Sequence, residues 1–324
     1  MRTVEVAEVL KLADEHVREG RFQRSLALLA ALSCIPAGLE VSYEHYRGSY
    51  GNSVMYTPVV LSGALAAAGI AGFFSKSAAQ GLMRWTGYVT IADCLTGFGF
   101  HIRGIYRKPG NWRVPVINMV MGPPIFAPLL FGVSAYLAVV ASYLRREDET
   151  DWLPRAATRD HWRHRLPGSG DHEQISWKQD LREGRFQKHM AVAAAASSFF
   201  SGFEAWYSHY KNRFQYKVQW TPLIVSPLLM VAALMTLRSR WAGHKLLPAV
   251  SAVAVANGTI GFAYHARGVL RRPGGLKLPL YNVMYGPPIF APLLFAACGA
   301  LGLLASLLRR EPAALKQRKR MVSR

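Results

Sequence analysis

Six ionisable side chains stand at matching positions in two related segments of this chain. The six are Glu40, His45 and His101 in the first segment, and Glu204, His209 and His265 in the second. All of them lie within or at the ends of long apolar runs, where an ionisable group is costly and marks a functional position. Imidazole and carboxylate are the groups that bind iron and copper in proteins. The set therefore predicts a metal or haem site.

Two arrangements of these ligands fit the spacing. His45 and His101 can ligate one b-type haem, with His209 and His265 ligating a second. Alternatively, glutamates and histidines from both segments meet around a non-haem iron or copper centre, as in metal sites of helical bundles. Glu40 and His45 are separated by about 140° around a helix, so one straight helix does not direct both at one atom. A glutamate can instead orient a ligating histidine through a hydrogen bond.

A second chemistry is suggested by basic residues that follow the third predicted helix of each segment. They are Arg103, Arg107, Lys108, Arg267, Arg271 and Arg272. Together with the positive end of the helix that follows, they predict an anion site for a lipid head group, a carboxylate or a phosphate. Under this hypothesis the chain is a carrier or binder of a small anion or anionic lipid, with Glu40 and Glu204 carrying protons.

Two further acidic residues differ between the segments. Asp93 and Glu44 correspond to Asn257 and Ser208, so the first segment alone can carry charge there. This difference predicts proton handling by Asp93 and Glu44, although a hydrogen bond between helices accounts equally well for a lone polar residue. A purely structural reading also stands, in which Glu40 pairs with Arg103 and the chain is a structural subunit of a larger membrane complex.

The elements that must position these residues are specified twice in the sequence. Arg18-Glu-Gly-Arg-Phe-Gln23 recurs at 182–187, and Gly122-Pro-Pro-Ile-Phe-Ala-Pro-Leu-Leu-Phe131 recurs at 286–295. One offset aligns every shared block, so the repeats are 18–147 and 182–311. A duplication of this length predicts two structural units that pack on each other.

Each repeat contains four apolar runs of a length that suits a membrane-crossing helix. The runs are 26–46, 57–74, 83–105 and 122–144, then 189–210, 221–237, 246–267 and 286–308. They predict an all-α integral membrane protein with eight transmembrane helices, arranged as two tandem four-helix repeats. Because four is even, both repeats have one orientation and a pseudo-two-fold axis along the membrane normal. The fourth helix is predicted to begin at Gly122-Pro-Pro, with a kink at Pro128.

The basic residues predict the orientation. Most of the 39 lysines and arginines lie in the terminal segments, the central linker and the loops on the same side. By the positive-inside rule both termini are cytoplasmic, in a bacterial inner membrane. Segment 1–17 is predicted to be an amphipathic leader, 148–181 a polar linker and 312–324 a basic tail that contacts anionic lipids. We therefore interpret the net charge of +20 as a consequence of contacts with the bilayer and not of nucleic-acid binding.

Several classes of enzyme are excluded by missing motifs. The sequence has no GxSxG, no HExxH, no Walker loop and no dinucleotide fingerprint, and its three cysteines lie in apolar runs. These absences argue against a hydrolase, a nucleotide-driven pump and a thiolate metal site, and they leave open whether the chain is an enzyme. The favoured hypothesis is a membrane protein that binds haem or a redox metal for electron transfer or oxidation. A redox partner or further membrane subunits would then be its partners.

Overall fold

The computed structural model describes residues 21–146 and 186–308, and within these ranges the chain is helical, with no β-strand. Ten helices of at least six residues follow one another in the described part of the chain, five in each repeat. They are α1 (Arg21–Arg47), α2 (Thr57–Phe74), α3 (Arg84–Tyr106), α4 (Pro115–Val120), α5 (Ala127–Tyr143), α6 (Gln187–Lys211), α7 (Thr221–Thr236), α8 (Leu247–Leu270), α9 (Pro279–Tyr285) and α10 (Ala291–Leu307). The predicted leader, linker and tail lie outside the described residues.

Among residues 21–146 and 186–308, four helical stretches are long and apolar enough to cross a membrane. They are Arg21–Arg47, Ser53–Phe74, Lys217–Thr236 and Ala242–Leu270. Away from its two ends, such a helix pairs its backbone N–H and C=O groups internally, as the hydrocarbon layer requires. The α-helical class and the membrane setting predicted from the sequence are therefore confirmed. Helices α5 and α10 are also apolar but shorter, with 17 residues each.

The start of the fourth long helix in each repeat differs from the prediction. Helix α5 begins at Ala127, not at Gly122, and residues 122–126 form a non-helical segment. Pro128 consequently lies in the first turn of α5 and does not kink a longer helix. The reason is that consecutive prolines lack amide donors and restrict the residue before each of them, so Pro123 and Pro124 prevent a helix from starting earlier. Helix α10 begins at Ala291 in the same way.

The centre of the molecule is formed by the first and last long helices of each repeat. Helices α1 and α5 contact each other, as do α6 and α10, and both pairs meet at a common interface. A narrow cavity of about 80 Å³ lies on that interface, with Ser33, Ser134, Ser197 and Cys298 among its lining residues. The Ser33 hydroxyl donates to Ser134 Oγ at 2.7 Å. Helices α2, α3, α7 and α8 pack outside this centre.

Small residues allow the outer helices to approach the central ones closely. Gly38 of α1 faces Ser62 of α2, and Gly202 of α6 faces Ser226 of α7, with no room for a Cβ atom at either glycine. The opposite faces of the outer helices expose large apolar side chains such as Val60, which is 67% exposed. In a membrane protein this pattern places small residues between helices and large apolar residues toward lipid.

Candidate functional site

Each of the two glutamates binds the start of a helix in the other repeat. Glu204 on α6 accepts a hydrogen bond of 2.6 Å from the Phe126 amide, directly before α5. Glu40 on α1 accepts a hydrogen bond of 3.1 Å from the Phe290 amide, directly before α10. The contact is thus reciprocal between the repeats.

Both carboxylates have a second donor on their own helix. The Tyr43 hydroxyl donates to Glu40, and the Tyr207 hydroxyl donates to Glu204. Amides at a helix start have no partner within the helix, and that end of the helix carries a partial positive charge. A carboxylate at this position accepts a hydrogen bond from an otherwise unpaired amide, and its negative charge is attracted to the positive end of the helix. The bonds of Glu40 run to Tyr43 and Phe290, whereas the structural reading of the sequence paired it with Arg103.

The four histidines share one hydrogen-bond arrangement, in which Nδ1 lies next to a backbone carbonyl oxygen. The distances are 2.6 Å from His45 to Met55, 2.5 Å from His101 to Pro124, 2.9 Å from His209 to Gln219 and 2.6 Å from His265 to Pro288. Each carbonyl partner in the second repeat is the sequence equivalent of that in the first. The ring orientation is therefore fixed in the same way twice.

This arrangement determines which nitrogen can bind a ligand. A carbonyl oxygen only accepts hydrogen bonds, so Nδ1 of each histidine carries the proton and donates it. In a neutral imidazole the other nitrogen, Nε2, then keeps its lone pair, which is the form that binds a metal. Metal-ligating histidines characteristically donate their second ring nitrogen to a carbonyl or carboxylate.

The histidines are grouped as two pairs. His45 and His101 lie within range of a direct electrostatic interaction, as do His209 and His265. All four are neither fully buried nor fully exposed. His45 and His101, and likewise His209 and His265, thus lie near one another.

Stacked aromatic rings flank one histidine of each pair. Tyr50 stacks on Tyr56 at 4.2 Å beside His45, and Phe214 stacks on Trp220 at 4.2 Å beside His209. Tyr50 also contacts the His45 ring edge-on at 6.1 Å.

No group of three or more histidine, cysteine, aspartate or glutamate side chains is placed to hold a metal ion among residues 21–146 and 186–308. The two glutamates already accept hydrogen bonds from amides and tyrosines, which engages the oxygens that a Glu/His centre needs.

The basic residues form a rim at the end of α3 and of α8. Arg103, Arg107, Arg267 and Arg271 are exposed, while Lys108 and Arg272 are partly buried. The loop that carries Lys108 is held by the buried Asn118, whose side chain donates to the Pro109 and Asn111 carbonyls at 3.0 and 2.7 Å.

Asn282 makes the equivalent bonds to Pro273 and Gly275. Sequence reasoning overlooked both asparagines. Their identity at equivalent positions was the signal that would have found them.

The two candidate proton-handling residues are separate from the histidine pairs in their contacts. Asp93 accepts a hydrogen bond of 2.6 Å from Thr57, which ties α3 to the start of α2. Glu44 forms an exposed ion pair of 3.1 Å with Arg47 on the same helix. Both contacts are accounted for by helix packing and surface charge, and proton handling by these residues stays a prediction.

The fold and its apolar helices define an all-helical membrane protein with paired, oriented histidines. Comparison of the chain with protein-family models, curated proteins and solved structures gave no match. The function is accordingly argued from the geometry of the site.

Proposed function

We propose that this chain binds two b-type haems, one between His45 and His101 and one between His209 and His265, and transfers electrons in the membrane. The observation that carries the proposal is the hydrogen bond from each Nδ1 to a carbonyl, which leaves the Nε2 lone pair available for ligation at all four positions. These four histidines would hold the two haems through Nε2, and a haem held by two histidines would supply one-electron transfer. The residues described here supply ligation and orientation.

The basic rim supports the same proposal. A haem carries two propionate carboxylates, and guanidinium groups pair with carboxylates through two hydrogen bonds. Arg103 follows His101 on α3, and Arg107 comes directly after that helix; Arg267 and Arg271 follow His265 in the same way. The basic residues that the sequence assigned to a free anion would therefore bind the propionates of the haem held by the neighbouring histidine.

The proposal includes the finer topology. We place eight spans in the membrane, as two tandem four-helix repeats related by a pseudo-two-fold axis along its normal, with both termini in the bacterial cytoplasm. The reciprocal glutamate contacts and the equivalent histidine contacts support a two-fold arrangement. The basic segments at the termini and linker support the orientation.

An anion or lipid binder is the alternative, and one feature favours it. An open cleft of about 510 Å³ lies between the α4 region and the end of α6, bordered by Met121, Tyr210, Lys211 and Arg213. Its mixture of aromatic and cationic side chains suits a lipid head group at the membrane surface.

The test is the absorption spectrum of the full chain, purified in detergent from bacteria supplied with a haem precursor, oxidised and dithionite-reduced. We expect a Soret band that sharpens on reduction and about two haems per chain. His101→Ala and His265→Ala should each remove about half of the haem, whereas His244→Ala, an exposed histidine outside the pairs, should retain it.

Elemental analysis on the same sample separates the remaining possibilities. Stoichiometric iron or copper without a Soret band would replace haem with a non-haem centre. A colourless, metal-free protein would overturn the redox proposal, and binding of anionic-lipid vesicles lost in Lys211→Ala would then support the alternative.

A further inference from the structure

We infer that Glu204 and Glu40 are positioning residues, each of which fixes a histidine of the opposite repeat. The first link is the 2.6 Å bond from the Phe126 amide to Glu204. The second link lies two residues earlier in the chain, where the Pro124 carbonyl accepts the His101 Nδ1 proton at 2.5 Å. Glu204 thus anchors the segment that orients His101.

The same two links occur in the other direction. The Phe290 amide donates to Glu40 at 3.1 Å, and the Pro288 carbonyl accepts from His265 at 2.6 Å. Each histidine pair therefore contains one ring that depends on the other repeat for its orientation, and one ring, His45 or His209, held by its own repeat.

The segment between the two links is stiff enough to transmit a displacement. Residues 122–126 contain Pro123 and Pro124, whose rings fix two backbone φ angles. Pro123 also packs on α3 at Gly104, where an added Cβ would lie 3.1 Å from the proline ring. Because the segment has little internal freedom, loss of the bond at Phe126 should move the Pro124 carbonyl.

The consequence is that the two sites are coupled across the repeat interface. Glu204 belongs to the second repeat, but a change at Glu204 affects the histidine pair of the first repeat more than the histidine pair of the second repeat. Only the haem-dependent readout of this inference rests on the proposed function, because the hydrogen bonds to the histidines exist independently of any ligand.

The experiment follows the imidazole Nδ1–H resonances of ¹⁵N-histidine-labelled, dithionite-reduced full chain in detergent. An Nδ1–H bonded to a carbonyl exchanges slowly with water, so it gives a separate signal, and His101→Gln and His265→Gln assign the two signals. We expect Glu204→Ala to abolish or shift the His101 signal and to leave the His265 signal in place. Glu40→Ala should produce the opposite pattern.

Glu204→Gln is the matched control, because its amide oxygen still accepts from Phe126 and should preserve the His101 signal. If Glu204→Ala fails to fold, Tyr207→Phe removes one donor that orients Glu204 and should shift the His101 signal alone.

Equal changes at both histidines, a change confined to His265, or no change at either would overturn the inference. If the purified chain lacks haem, the proposed function fails, while these signals still decide the positioning role. If haem is present, Glu204→Ala should additionally alter the spectrum of one haem.

Discussion

At the scale of single residues, the hydrogen bond at Nδ1 decides what each histidine can do. An imidazole at a helix end ordinarily belongs to the interfacial belt of a membrane protein, and composition alone does not separate that role from ligation. A carbonyl acceptor removes the ambiguity of the tautomer, since it places the proton on Nδ1. The four bonds therefore orient four imidazole rings, and in the neutral form of each ring Nε2 keeps its lone pair.

The tyrosine bonds to the glutamates give a prediction at the same scale. Tyr43→Phe keeps the buried ring and deletes the hydroxyl that donates to Glu40. We expect a loss of about 1–3 kcal/mol of stability, because a partly buried carboxylate then lacks one of its donors. Thermal unfolding in detergent measures this loss. Tyr46→Phe, at a side chain 63% exposed, should leave the midpoint unchanged, and equal midpoints for both variants would contradict the role assigned to the Tyr43 hydroxyl.

At the scale of elements, small residues set the distance between the central and outer helices. Gly38 lies against Ser62 where α1 meets α2, and Gly202 lies against Ser226 where α6 meets α7. The Ser226 hydroxyl additionally donates to the Ser198 carbonyl at 2.7 Å. Close approach of this kind favours helix association in lipid, where burial of apolar surface contributes little.

A substitution at Gly38 tests this packing. In Gly38→Ala the new Cβ would lie 2.7 Å from Ser62 Cβ, so α1 and α2 must separate. We expect a destabilisation of about 1–3 kcal/mol, as is typical of overpacking. Gly63→Ala is the control, since nothing lies within 4 Å of a Cβ there.

Adding Ser62→Gly to Gly38→Ala should restore most of the thermal stability, because it removes the obstructing side chain. A double variant as unstable as Gly38→Ala alone would show that the cost arises elsewhere.

At the scale of the whole molecule, the first and last long helices of each repeat form the centre, and the glutamates lock each repeat onto the other. A reciprocal contact of this kind fits two repeats related by a two-fold axis, and the proposed topology places that axis along the membrane normal. The proposed topology therefore places the α3–α4 and α8–α9 loops on the same side of the membrane.

Cysteine labelling in intact bacteria and in inverted vesicles tests the topology. Cys34, Cys94 and Cys298 are at most 3% exposed, so the native thiols give little background. We expect Arg113→Cys and Lys277→Cys to react with an impermeant maleimide from outside. Ser77→Cys and Arg240→Cys should react only in inverted vesicles. Outside labelling of one loop but not its equivalent would contradict the parallel insertion of the repeats.

The sequence by itself determined the helical class, the membrane setting and the positions of the long helices to within a few residues. It did so because runs of apolar residues and first-turn prolines act locally, through hydrogen bonds within each helix. It also singled out the six glutamates and histidines, since the two copies retain them among divergent apolar residues. The start of α5 was missed because the prolines of residues 122–126 act against helix formation over several residues.

Only the tertiary structure decided what the polar residues contact. Glu40 and Phe290 are 250 positions apart, and no local pattern specifies that a carboxylate on one repeat meets an amide on the other. The glutamates accept hydrogen bonds from amides at helix starts, whereas the histidines donate to backbone carbonyls. This difference likewise depends on how the helices pack. Spacing along the chain fixes the face of a helix on which a side chain lies, whereas packing between distant segments fixes its partner.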